Sequence, residues 1–357
     1  MHTCTYEKQV ERWSCLEISV QGRTEGNPFT DYIIEGTFSS KNESKHVVGF
    51  YDGNGVYKVR FMPSFVEPYH FVITGSCCDE KHEGSFEVLP AKKNNHGPVR
   101  VANTHHFAYE DGTAHYPIGT TCYVWELQNE ELQKQTLKTL KEGYFNKIRF
   151  CIFPKHYDYN LNEPYSYPYE GKPCDSSVLT SDNFNNYTGR ADGNDWDFSH
   201  FNVEHFRHID HSILALQELG IEADIIVMHP YDRWGFSMMT KEQDDLYWKY
   251  VVKRLSAYRN VWWSLANEYD LMGEKTVEDW ERYAQLICQY DPYTHLRSIH
   301  NCKNFYDYSR PWITHCSIQR QDPYKSAEYV DQWRTRWQKP IVLDEIGYEG
   351  TIQHGWG

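Results

Sequence analysis

Val261-Trp-Trp-Ser-Leu-Ala-Asn-Glu-Tyr-Asp270 is an apolar run that ends in carboxylates. Such a run reads as a strand buried on both faces, because it lacks the polar alternation of a half-solvated sheet. Pro340-Ile-Val-Leu-Asp-Glu-Ile-Gly-Tyr348 repeats the pattern far along the chain. A carboxylate at the carboxyl end of a buried parallel strand lies where an α/β barrel keeps its chemistry. Glu268 and Glu345 stand at two such ends.

Around these two runs the chain alternates strand and helix. Strands are predicted over 118–125, 147–153, 223–229, 261–266, 296–300, 313–318 and 340–344, and amphipathic helices over 128–142, 203–219, 241–257, 276–289 and 325–337. That rhythm predicts a parallel sheet with helices outside it. A (β/α)8 TIM barrel takes about 250 residues. Seven strands are predicted and the sequence ends at Gly357, so the expectation is a barrel over 99–357 that lacks its eighth unit, a C-terminally truncated catalytic domain. The insert 155–200 is read as a long loop, the class of loop that carries function or moves. Its tyrosines, Tyr157, Tyr159, Tyr165, Tyr167 and Tyr169, line a cleft rim or a flexible segment.

Residues 1–90 read differently. Short alternating runs, Trp13-Ser-Cys-Leu-Glu-Ile-Ser-Val20, Asp31-Tyr-Ile-Ile-Glu-Gly-Thr-Phe38 and Tyr57-Lys-Val-Arg-Phe61, are separated by turn clusters such as Asp52-Gly-Asn-Gly55. The pattern predicts an antiparallel, immunoglobulin-like β-sandwich. The polar, aperiodic stretch 91–98 is the expected linker.

Composition narrows the function. Hydrophobic residues make up 40% of the 357 and aromatic residues 16%, with 12 Trp and 28 Tyr. These fill a sizeable core or line a cleft on which sugars stack. A net charge of −14, from 36 basic and 50 acidic residues, disfavours nucleic acid and anionic membranes as partners. No stretch reaches the roughly 20 apolar residues that span a bilayer, and the first residues lack a signal peptide's apolar segment. Ten cysteines form no C-x-x-C pair. Reduced thiols and a cytoplasmic location are expected. No cofactor or metal is expected, and no oligomeric state is indicated. His205, His208 and His211 share one helical face, but no ligand set completes a metal site around them; they are read as an outer face.

Two carboxyl groups flanking a glycosidic bond suffice to cleave it. Glu268, preceded by Asn267, suits the acid/base, with the amide placed to bind the neighbouring 2-hydroxyl. Glu345 suits the nucleophile, with Arg149, near the end of the second strand, the candidate to keep it ionised by charge pairing. Asp344 points the other way along an extended strand and braces the fold. His229 reads as a substrate contact or a hydrogen-bonded structural residue. Tyr231, Asp232 and Trp234 follow it on one loop as a candidate subsite wall.

Asn-Glu ending a fourth strand and Glu ending a seventh resemble the signature of the clan A retaining glycoside hydrolases. Arg149 in Asn146-Lys-Ile-Arg-Phe150 and His229 in Ile226-Val-Met-His-Pro230 match further clan positions, and His300, Asn301 and Gln319 fall where the clan keeps site residues. The chain also resembles, more closely than it does the clan at large, bacterial sugar-hydrolase-like proteins that join such a barrel to an N-terminal β-sandwich of unknown function. Gly26-Asn-Pro-Phe-Thr-Asp31, Gly49-Phe-Tyr-Asp-Gly-Asn-Gly-Val-Tyr57 and Arg60-Phe-Met-Pro63 carry that likeness in the sandwich. Leu265-Ala-Asn-Glu-Tyr-Asp270, Leu296-Arg-Ser-Ile-His-Asn301 and Asp344-Glu-Ile-Gly-Tyr-Glu-Gly350 carry it in the barrel. The resemblance implies a retaining O-glycoside hydrolase acting on oligo- or polysaccharide, with Glu268 and Glu345 catalytic and Arg149, His229, Trp234, Asn267, His300, Asn301 and Gln319 on the substrate. The clan's tryptophan platform on the eighth strand has no counterpart here, since Trp356 comes too early. The alternative is a carbohydrate-binding protein on an inactive or incomplete barrel.

Overall fold

The structure is a computed structural model and describes residues 3–156, 160, 162–175, 193–320 and 327–346. Its N-terminal part holds β1 (Cys4–Tyr6), β2 (Gln9–Glu11), β3 (Leu16–Gln21), β4 (Ile34–Ser39), β5 (Ser44–Val48), β6 (Phe50–Tyr51), β7 (Val56–Phe61), β8 (Pro68–Gly75) and β9 (His82–Leu89). They form two sheets, ordered β1-β3-β7-β6 and β2-β9-β8-β4-β5. Alternation places Leu16, Ile18 and Val20 of one sheet and Phe38, Phe71 and Ile73 of the other in one shared core. Phe38 stacks on Phe61 with centroids 4.2 Å apart. The Asp52–Gly55 cluster turns as its composition predicts: Gly53, Asn54 and Gly55 all take positive φ.

One pairing departs from an all-antiparallel reading. β2 runs parallel to β9. The chain's first segment pairs with β3 in one sheet and then crosses to the edge of the other, which fixes its direction there.

The expected linker is pinned, since Asn95 donates to Glu11 Oε1 at 2.7 Å and to the Arg12 carbonyl at 2.8 Å. After it comes a small sheet absent from the sequence reading: β10 (Val99–Ala102), β11 (His106–Tyr109) and β12 (Ala114–His115), antiparallel. Val99 and Phe107 pack on Trp262 and Leu296, and so cover the start of the strand that ends in Glu268.

The parallel strands are β13 (Gly119–Thr121), β14 (Lys147–Cys151), β17 (Glu222–Met228), β18 (Val261–Ala266), β19 (Arg297–Ser298), β20 (Cys316–Gln319) and β21 (Ile341–Glu345). Between β14 and β17 stands an antiparallel hairpin, β15 (Tyr169–Lys172) and β16 (Asp195–Phe201). β13, β14, β17, β18 and β19 form one sheet in that order. The bridge His300↔Ser317 carries the run on to β20, which pairs with β21. Every residue of β14, β17 and β18 is buried, as their apolar runs require. Helices α1 (Glu130–Glu142), α2 (Val203–Glu218), α3 (Lys241–Leu255), α4 (Val277–Tyr290) and α5 (Val330–Trp337) connect them. Asn129, Asn202, Thr240 and Thr276 cap the first four. Among the described residues the sheet does not close; β13 and β21 flank a cleft of about 290 Å³ lined by Thr121, Lys147, Arg149 and Asp344.

A buried ion-pair network joins the two parts. Arg60 of β7 donates to both carboxylate oxygens of Asp210 on α2, at 2.9 and 2.8 Å, and to the Arg254 carbonyl at 2.8 Å. Arg254 binds Asp210 Oδ2 at 2.7 Å and Asp52 Oδ1 at 2.8 Å. Tyr293 completes the junction by accepting the Met62 N–H at 2.9 Å.

Candidate active site

The ends of the parallel strands converge on the two glutamates. Glu345 closes β21, and its two carboxylate oxygens have different partners. The Tyr123 hydroxyl donates to Oε1 at 3.1 Å, and His300 Nε2 lies 2.9 Å from Oε2. His300 also reaches Gln319 Oε1 at 3.2 Å and Ser317 Oγ at 3.1 Å. Burial first, and then Arg149, lower the His300 pKa, which favours the neutral ring. With its proton on Nε2, that ring donates to Glu345.

Glu268 follows β18 with φ 52° and ψ 56°, a left-handed conformation that costs a non-glycine residue about 1–3 kcal/mol. Its neighbours hold it there. The Asn267 N–H donates to the Met228 carbonyl at 3.0 Å and the Tyr269 N–H to the His300 carbonyl at 2.9 Å. Asp270 then accepts the N–H groups of Cys302, Lys303 and Asn304 at 2.6, 2.8 and 2.8 Å, which locks the turn after β18 to the loop after His300. Burial, and secondarily the charge of Glu345, push the Glu268 carboxyl up to about 7. Hydrogen bonds from Cys302 and Gln319 and the charge of Lys155 work in the opposite direction.

Asn267 lies between Glu268 and the second strand. Its Nδ2 stands 3.4 Å from Glu268 Oε2, and its Oδ1 accepts from Arg149 Nη2 at 3.1 Å. Arg149 itself reaches Asp224 and Asp344 at 3.9 and 4.0 Å, so its closest described carboxylates are these two, although its charge also acts on Glu345. Its Nε and Nη1 are buried without a hydrogen-bond partner among the described residues. Asp344 points away from Glu345, as the strand's period demands, into a cluster where Lys147 binds it at 2.7 Å. Burial works against its ionisation, but Lys147, Arg149 and His300 hold its carboxyl well below the usual range.

His229 ends β17. Its Nε2 donates to the Phe153 carbonyl at 3.2 Å, and its buried Nδ1 has no partner among the described residues. Burial drives its pKa down to about 3, leaving Nδ1 as an unprotonated acceptor. Asn301 is spent within the sheet: Nδ2 donates to the Gln319 carbonyl and Oδ1 accepts the Gln319 N–H, both at 3.2 Å. Trp234 stands apart, buried in the loop after β17 with its ring near Tyr167, His156 and Phe236. Asp232 fixes that loop by accepting the Trp234 and Ser237 N–H groups at 2.7 Å each.

Two residues absent from the sequence reading join the site. Tyr123 follows the first parallel strand. Lys155 lies beyond β14 and is buried, with its ammonium 3.5 Å from the Tyr123 ring centroid and 4.3 Å from that of Tyr231. Burial lowers its pKa to about 8 against the attraction of both glutamates. For Lys155 the available signal was a polar residue just past a buried apolar strand; β13, Gly-Thr-Thr and only half-buried, offered no such signal for Tyr123.

The histidines on α2 are not a common outer face. His205 is buried, bonded to Ser166 Oγ at 2.8 Å and the Ile152 carbonyl at 3.1 Å, while His208 donates to the Glu126 carbonyl at 2.6 Å. Of the insert's tyrosines, Tyr169 is core, Tyr167 packs on Trp196, and Tyr165 is exposed beside His208. Tyr157, Tyr159, Glu349 and Trp356 lie outside the described residues. No helix among the described residues is long and apolar enough to cross a membrane, and all ten cysteines are free thiols.

Residues 101–357 match the family model described as apiosidase-like, catalytic domain, and residues 9–76 match a domain of unknown function, DUF5060. Among solved structures, a candidate glycoside hydrolase from Bacteroides vulgatus ATCC 8482 is 41% identical, with TM-score 0.89 over 98% of this chain and 67% of that one. A candidate β-galactosidase from Bacteroides fragilis is 12% identical, with TM-score 0.45 over 98% of this chain and 47% of its own. A β-glucuronidase from Ruminococcus gnavus is 13% identical, with TM-score 0.41 over 98% and 53%. The chain thus spans about half the length of the latter two. No curated protein matches it.

Proposed function

We propose that this chain, which belongs to the family with the apiosidase-like catalytic domain, is a glycosidase that cleaves O-glycosidic bonds with retention of configuration. The observation that carries the proposal is the unequal setting of two strand-end carboxyls. Glu345 receives Tyr123 and His300, while Glu268 is buried beside a like charge and held near neutral pH. A carboxyl that keeps its proton beside a hydrogen-bonded carboxylate is the pairing that an acid and a nucleophile need.

In this reading Glu345 attacks the anomeric carbon while Glu268 protonates the departing oxygen. The resulting ester removes the negative charge of Glu345. One cause of the raised Glu268 pKa disappears with it, so Glu268 becomes the base that deprotonates the incoming water. Arg149 orients Asn267 by holding Oδ1, which leaves Nδ2 to meet a hydroxyl of the sugar. The Nδ1 acceptor of His229 takes a second hydroxyl.

The consecutive parallel strands are the wall of a (β/α)8 barrel in this proposal. A further strand between the edges of β13 and β21 closes it, and the two N-terminal sheets form a β-sandwich. The family's description makes glycosides of apiose the first substrates to try. Hydrolysis of aryl apiosides, and of a wider aryl-glycoside panel, tests the reading. Wild-type protein should release the aglycone and Glu345→Gln should not. Unchanged release by Glu345→Gln contradicts the assignment.

A further inference from the structure

The motif Gly26-Asn-Pro-Phe-Thr-Asp31 belongs to the N-terminal part, yet lies between its strands β3 and β4 and pairs with neither sheet. It is a turn braced on itself. Asp31 Oδ2 accepts the Asn27 N–H at 2.8 Å, Asn27 Oδ1 accepts the Phe29 N–H at 3.0 Å, and the Asn27 carbonyl accepts from Asp31 N at 2.9 Å. Gly26 has φ +69°, and a Cβ there would stand 2.4 Å from Asp31 Oδ2, so only glycine keeps the turn intact.

Two groups project from this turn onto the hairpin β15–β16. Asn27 Nδ2 donates to the Ser199 carbonyl at 3.0 Å. The Phe29 ring meets Phe201 and Tyr250 edge-on at 5.3 and 5.7 Å and Tyr51 of β6 at 5.0 Å, so it packs into the core of the parallel-strand part while still touching its own sheet. The hairpin in turn grips the loop that follows His229. Trp196 Nε1 donates to the Trp234 carbonyl at 2.9 Å, and Asn194 Nδ2 to the Arg233 carbonyl at 2.9 Å. Two successive carbonyls of one loop are thus held by side chains of one hairpin. Asp232 already sets that loop's internal shape, so what the hairpin adds is its placement.

We propose that the turn 26–31 is a positioning element for the substrate-site loop 230–236, acting through the hairpin β15–β16. This gives the N-terminal part a task beyond bracing: it sets where the wall beside His229 stands. The placement rests on contacts alone. Its consequence for substrate rests on the glycosidase reading above.

Asn27→Asp in the full chain is the direct test. Aspartate keeps the acceptor for the Phe29 N–H, so the turn survives, but it loses the donor to Ser199 and sets oxygen against oxygen. Phe29→Leu is the second variant, keeping an apolar side chain while removing the ring contacts. Hydrogen–deuterium exchange read by mass spectrometry should rise about 3- to 10-fold over 194–201 and 230–236, the scale of one lost hydrogen bond. Residues 261–266 should exchange as in the wild type. With an aryl glycoside that the wild type hydrolyses, KM should rise by a similar factor while kcat holds. Wild-type exchange at 230–236 in both variants overturns the proposal, and so does loosening that extends equally to 261–266. Faster exchange at 230–236 in a protein that hydrolyses no glycoside upholds the positioning role and overturns the glycosidase reading instead.

Discussion

His300 Nε2 lies 2.9 Å from Glu345 Oε2, and the same ring rests through Nδ1 on Ser317 of the neighbouring strand at 3.1 Å. The imidazole therefore ties the last described strand to the two before it and aims the carboxylate that closes the run. Replacing it removes a hydrogen bond to a charged group, worth about 1.5–3 kcal/mol. His300→Phe should slow the first release of aglycone from an aryl glycoside by about 10- to 100-fold, read as the burst rate in stopped flow. A wild-type burst rate would show that His300 only packs.

Glu268 titrates near 7 in the folded protein, against an ordinary 4.5. As the acid it must start protonated, so kcat/KM should fall as pH rises through about 7. The same shift bears on stability. Because the folded state holds this proton more tightly than the unfolded chain, the group's stabilising contribution is full below about 4.5 and is lost as pH rises through 7. Glu268→Gln should therefore lose less stability than the wild type between pH 5 and 8, measured by urea midpoints. Parallel pH dependence in both proteins would count against the shift.

Turnover of the same variant separates its two roles. General acid/base help is worth about 10²–10⁴-fold. On an aryl glycoside with a good leaving group, Glu268→Gln should still form the glycosyl intermediate rapidly and then stall. A steady-state rate within a few-fold of the wild type would move the acid/base to another residue.

Much of this site could be read from the sequence because it sits on strand ends. The apolar run leading into Glu268 is buried along its whole length, as a strand covered on both faces must be, whereas the run leading into Glu345 is half-buried and was legible from its apolar composition alone. Asn267 and Gln319 were legible as candidates because they stand at or just past strand ends, and Arg149 because it lies in the second strand. Tyr123 and Lys155 were not found, since a single polar residue past a strand carries no period or spacing. The left-handed backbone of Glu268 is imposed by contacts from Met228, from His300 and from the 302–304 loop that Asp270 clamps, all of them distant in sequence from the residue. Arg60 and Asp210 are 150 residues apart, and nothing in either segment announces the pair. β10–β12 escaped notice because strands this short give too few residues for an alternation to register.

Asp210 lies buried between two guanidinium groups, and burial's cost is outweighed by Arg60 and Arg254, which lower its pKa. Asp210→Asn leaves both cations in place with their carboxylate gone. Breaking a buried pair in this way costs about 3–5 kcal/mol. The urea midpoint should fall accordingly with an unchanged slope. A loss below about 1 kcal/mol, the size of an exposed pair, would mean that the two parts of the chain are held together elsewhere.

In the proposed mechanism Glu345 attacks sugar and Glu268 shuttles the proton. Proton NMR of the first sugar released from an aryl glycoside by the wild-type protein addresses it most directly. The anomer that appears first should have the configuration of the substrate, followed by slow mutarotation. An inverted first product would contradict the account, because it would require water, not Glu345, to attack the anomeric carbon.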